Sequence, residues 1–68
     1  MIEKIDETAL PDHAKYLGTD WQNNSFDPAL SQLINELVEN GRTVVCVKTD
    51  HYNSDHCFEQ WSKDYYCI

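Results

Sequence analysis

The chain has 68 residues and carries twelve Asp and Glu against five Lys and Arg, a formal charge of −7. It is one domain, residues 1–68, and a chain this short buries only about 60 % of its unfolded surface, which leaves little room for a deep substrate cavity. The acid excess argues against direct binding to nucleic acid or to a membrane surface, and no apolar run approaches the ~18 residues of a membrane span.

The opening segment MIEKIDETALPDH has neither the basic nor the apolar region of a signal peptide, so a cytoplasmic location is expected. Residues 1–6 suit an edge strand or a frayed helix. Pro11 to Leu17 reads as a short helix closed by Gly18, with Leu10, Ala14 and Leu17 on one side. Thr19 to Ser25 is polar and reads as a loop anchored by Trp21 and Phe26.

The clearest signal follows. Asp27 is placed to cap a helix and Pro28 suits its first position, where no N–H is needed. Leu30, Leu33, Ile34, Leu37 and Val38 recur at the spacing of one helical face, and Gly41 stands where a left-handed residue ends a helix. A helix over 28–40 is predicted. Thr43 to Thr49 is rich in β-branched residues and reads as a central strand, ended by the turn residues 50–55. Residues 55–68 are read as a short helix near 55–62 and a terminal strand, with a plain β-meander as the alternative.

The expected fold is therefore α+β. One main amphipathic helix packs on a two- to three-stranded, mainly antiparallel sheet, with one or two short extra helices. The predicted core is Leu17, Phe26, Leu30, Leu33, Ile34, Leu37, Val38, Val45, Val47 and Phe58.

Three cysteines are an odd number, so free thiols are expected. Cys46, His51, His56, Cys57 and Cys67 cluster in the last third and raise a zinc-stabilised structural module as an alternative. Their spacing has no Cys-x2-Cys pair, and a buried strand cysteine with turn histidines is the ordinary reading, so no metal or other cofactor is assigned. Cys57 beside His56 offers a thiol and a base, but adjacent residues point apart and the local charge opposes a thiolate. The two glycines, Gly18 and Gly41, form no phosphate-binding loop. A helix 28–40 offering Gln32, Asn35, Glu36 and Glu39 lacks the cations that DNA requires. No catalytic residue is assigned, and the chain is not expected to be an enzyme.

The acidity is read in two ways: as a solubilising charge, or as a surface that docks on a basic one. Glu36, Glu39, Asp50, Asp55, Glu59 and Asp64 interleave with Tyr52, Trp61, Tyr65 and Tyr66, the composition of a protein-binding patch. Carboxylates so arranged can occupy pockets that a partner uses for phosphates. The expected function is a small inhibitor that blocks the basic surface of a nucleic-acid-processing protein by mimicry. By size and charge alone, it is analogous to small phage and mobile-element proteins. A homodimeric accessory protein is a further alternative, with pairing through the terminal strand Tyr65–Ile68.

Overall fold

A computed structural model describes residues 2–68. Four strands, one helix and a single 3-10 turn follow in the order β1 (Ile2–Ile5), the turn Glu7–Ala9, β2 (Lys15–Trp21), α1 (Pro28–Glu39), β3 (Val44–Tyr52) and β4 (Phe58–Cys67). The strands form one mixed sheet in the order β1-β3-β4-β2. β1 runs parallel to β3, while β3–β4 and β4–β2 are antiparallel. The α+β class is as expected, with more strands and fewer helices than the sequence suggested. Met1, part of the first predicted segment, lies outside the described residues.

The helix forms as its end signals dictate. The Asp27 carboxylate accepts the Ala29 N–H at 2.9 Å, satisfying one of the donors that a helix start leaves unpaired. At the other end Gly41 has φ +79°, the Gly41 N–H donates to Val38 O, and the Arg42 N–H reaches back to Leu37 O at 2.9 Å. That pair of bonds closes the last turn with a left-handed residue, which glycine adopts at little cost. The apolar stripe then lies on the sheet. Leu30 and Ile34 are buried against Val44, Cys46 and Tyr65, with Leu17, Leu37 and Val38 packed around them.

The other face of the sheet is covered differently. β1 and β2 occupy opposite edges, so residues 6–14 must cross the sheet to join them. Val45 and Val47 face away from the helix yet are buried. Glu7 lies close enough to Tyr66, on that same face, to act on its phenol. The crossing segment therefore roofs the base of the sheet, with Leu10, Pro11 and Ala14 half-buried.

Several expectations are corrected. Residues 15–21 are a strand rather than the end of a helix. Tyr16, Thr19 and Trp21 favour a pleated surface, and Gly18 makes room for the helix: a Cβ there would stand 3.1 Å from Leu30 Cδ1. Asp50, His51 and Tyr52 continue β3 instead of ending it, and the turn begins at Asn53. No helix forms over 55–62. The spacing of Phe58, Trp61 and Tyr65 imitates a helical stripe, but β4 alternates, with Ser62, Asp64 and Tyr66 on one face and Trp61, Lys63, Tyr65 and Cys67 on the other. The meander alternative holds there.

The core shifts accordingly. Phe26, Leu33 and Phe58 are 39 %, 38 % and 48 % exposed. Val44, Cys46, Tyr65 and Cys67 are buried in their place.

The molecule is elongated. Its extents are 44 × 27 × 15 Å and its radius of gyration 13.1 Å, against about 11 Å for a compact domain of this length. The excess comes from the β3–β4 hairpin, which runs on past both β1 and the helix-covered core. Among the described residues no helix is long and apolar enough to cross a membrane.

Candidate functional site

The free end of the hairpin is largely exposed. Val44–Val47 are all buried, whereas no residue from Lys48 to Trp61 is. β1 pairs with β3 only up to Val47, and β2 reaches β4 only as far as Ser62. The intervening residues form a two-stranded arm, with about 17 Å of β3 beyond the core.

Its tip is fixed by local bonds. The Asn53 side-chain oxygen accepts the N–H groups of Asp55 at 2.9 Å and Cys57 at 3.0 Å. The Asn53 N–H donates to Cys57 O, and the His56 N–H donates to Asn53 O. His56 takes a left-handed φ of +60°, a conformation that needs such support in a residue other than glycine. Just behind the tip a bulge sets Tyr52 opposite Phe58. Their rings meet edge-on at 6.0 Å, and Tyr52 remains 60 % exposed.

Asp50, Asp55 and Glu59 share the arm with this aromatic pair and are all exposed. Among the described residues the one ion pair joins Lys48 to Asp50 at 3.8 Å, and neither Asp55 nor Glu59 is in one. Lys63 lies 4.6 Å from the centre of the Trp61 ring. Gln22 ties the arm's root to β2: its side chain accepts the Trp61 N–H, and its own N–H donates to Trp61 O.

A second cluster occupies the face away from the helix. Trp21 reaches across β4 and stacks on His51 at 5.1 Å. Beneath it, His51 Nε2 lies 2.7 Å from Ser62 Oγ. Ser62 is buried, so the pair is a cross-strand tie rather than an exposed nucleophile and base. Nearby the Thr19 hydroxyl donates to Asp64 Oδ1 at 2.6 Å. That bond uses the only Thr19 proton, so the Tyr16 hydroxyl donates to Thr19 Oγ1. Tyr16 and Tyr66 pack at 5.6 Å. The Tyr66 phenol is pushed up by burial first, then by Asp64, Tyr16 and Glu7. Tyr65, on the opposite face, is also pushed up, by burial and then by Cys46 and Asp20.

The predicted partner-binding residues therefore divide. Asp50, Asp55, Glu59 and Trp61 share the arm. Asp64 and Tyr66 lie on the face away from the helix, with Asp64 engaged by Thr19. Glu36 and Glu39 are exposed on the helix, where Glu36 accepts a bond from Gln32. Tyr65 is buried, its ring 5.9 Å from Phe26. Tyr52 and Phe58 complete the arm's surface. Sequence reading placed Phe58 in the core because its helical spacing from Trp61 and Tyr65 hid its position beside a bulge.

The candidate zinc ligands are also distributed. Cys46 and Cys67 are buried under the helix, His51 is on the opposite face, and His56 and Cys57 are exposed at the turn. Among the described residues no three His, Cys, Asp or Glu side chains converge as a metal site would require.

Comparison with protein-family models, curated proteins and solved structures finds no match in any of the three.

Proposed function

We propose that the chain is a small acidic protein-binding module whose hairpin arm blocks a basic, nucleic-acid-binding surface of a partner in the cytosol. The observation that supports it is the arm itself: an exposed Tyr52–Phe58 pair on the same arm as the exposed acids Asp50, Asp55 and Glu59, of which only Asp50 has an ion pair among the described residues. Aromatic anchors within a charged rim supply the contact energy and the orientation of such interfaces. Unneutralised carboxylates on a projecting arm can enter sites that bind phosphates. The net charge of −7 draws a cationic partner from a distance and makes association salt-sensitive.

The test compares two baits, the native chain and an Asp50→Asn, Asp55→Asn, Glu59→Gln variant, in host lysate at low salt. Stepped elution and mass spectrometry identify what each retains. The native chain is expected to hold a nucleic-acid-binding protein that elutes between roughly 0.1 and 0.5 M salt, where screening shortens to a few ångströms. The variant should lose it. Equal retention by both baits, or none by a folded native bait, overturns the reading.

A further inference from the structure

β2 is an edge strand, and its surface complements itself. Its outer side faces no other strand among the described residues, and it is seven residues long against four for β1 at the other edge. Unpaired N–H and C=O groups along such an edge are a template for another strand. Registers with β4 fix which face each residue occupies. Lys15 lies opposite Cys67 and Asp20 opposite Lys63, on the helix side, while Tyr16 and Thr19 lie opposite Tyr66 and Asp64 on the other. The register shift between Tyr16 and Gly18 makes Leu17 the extra residue, and Leu17 packs on the helix-side core with Gly18.

A two-fold axis through the sheet between Leu17 and Gly18 has a simple consequence. Antiparallel copies then set Lys15 against Asp20, Tyr16 against Thr19 and Leu17 against Gly18 of the second chain. Each pair shares a face, because both strands carry the same bulge at the same distance from the axis. A bulge ordinarily spoils an edge for a foreign strand, so this edge is matched best by its own copy. Lys15 and Asp20 have no ion pair within the chain among the described residues, and the two-fold supplies two. A further free edge, Lys48–Tyr52, already has its lysine paired with Asp50.

A second observation lies beside the axis. Leu33 belongs to the apolar stripe of α1 yet is 38 % exposed, and it lines a groove of about 270 Å³ together with Lys15, Tyr16, Leu17 and Leu37. That groove opens at β2, next to the proposed two-fold. We propose that the chain forms a homodimer through antiparallel β2–β2 pairing, joining two four-stranded sheets into one of eight. The terminal strand cannot serve, since β4 is flanked by β3 and β2. The hairpin arms then lie free of the interface.

The experiment is sedimentation of the full chain under reducing conditions, over a wide concentration range at ~0.15 M salt, where the screening length is about 8 Å. A mass twice 8.0 kDa is expected at the upper concentrations. Lys15→Glu should weaken association at least about tenfold, by placing Glu against Asp20 of the second copy. The double variant Lys15→Glu/Asp20→Lys should restore it, because the pairs re-form reversed. Hydrogen exchange of the 15–21 backbone in the native chain should slow as the dimer forms, which tests the strand even where a variant fails to fold. A constant 8.0 kDa mass overturns the proposal. So does a dimer whose 15–21 exchange is independent of concentration, or one indifferent to Lys15→Glu.

Discussion

The β3–β4 hairpin is one continuous ladder with two unlike halves. At its base, Val44–Val47 and Ser62–Cys67 are sandwiched between α1 and the crossing segment 6–14, and most of them are buried. In the arm the same backbone pairing continues, but no residue from Lys48 to Trp61 is buried. Hydrogen-bonded pairing gives both halves their shape, but removal of apolar surface from water stabilises only the base. An isolated two-stranded ribbon is marginal in water, so the arm depends on the base, while the base has little need of the arm. The chain thus separates the part that holds the fold from the part that is free to touch something else.

Substitutions in the base test this division most severely. Ile34 is 3 % exposed at the centre of the helix–sheet contact. Ile34→Ala should cost about 2–5 kcal/mol, a large share of the roughly 3–10 kcal/mol available to a domain of this length. Urea denaturation followed by circular dichroism should show the midpoint collapse. Gly18→Ala should cost less, about 1 kcal/mol, because the new Cβ meets the two methyl groups of Leu30 at 3.1 and 3.2 Å and they can partly give way. Pairing it with Leu30→Val should recover part of the loss. If Gly18→Ala instead stabilises the chain, β2 and α1 are less tightly apposed than their contacts indicate.

The same contrast explains what the sequence disclosed. Helix 28–39 was legible because its signals are local: a capping Asp27, Pro28, a 3.6-residue apolar period and Gly41 all lie within one short stretch. β2 was not, because its strand character comes from pairing with β4, some 45 residues away, and Gly18 looks like a helix terminator until Leu30 is seen against it. The arm was misread for a related reason. Asp50, His51 and Tyr52 are turn-prone residues held in a ladder by Trp61, Gln60 and Phe58 across the hairpin, and the extra residue Glu59 breaks the alternation of β4. Of the candidate surface, the acids could be read from composition. Which of them share a surface could not, since that depends on the true extent of β3 and β4. Tyr65 shows the limit: an aromatic among acids reads as a binding anchor, yet its register opposite Cys46 puts it under the helix.

The smallest expected effect on stability is the most informative about function. Tyr52 and Phe58 meet edge-on, and they are 60 % and 48 % exposed. Replacing both by Ala forfeits one edge-on aromatic contact, worth about 1 kcal/mol, and removes no core packing. The thermal midpoint should therefore fall by only a few degrees, about 4–8 °C for each kcal/mol in a domain of this size. Partner retention should fall with it far more steeply than stability does, since aromatic anchors in a charged rim dominate such contacts. A loss of stability comparable to that of Ile34→Ala would mean that the arm is part of the core's cooperative unit. The separation between holding the fold and reaching a partner would then fail, and the exposure of Tyr52 and Phe58 would need a different physical reason.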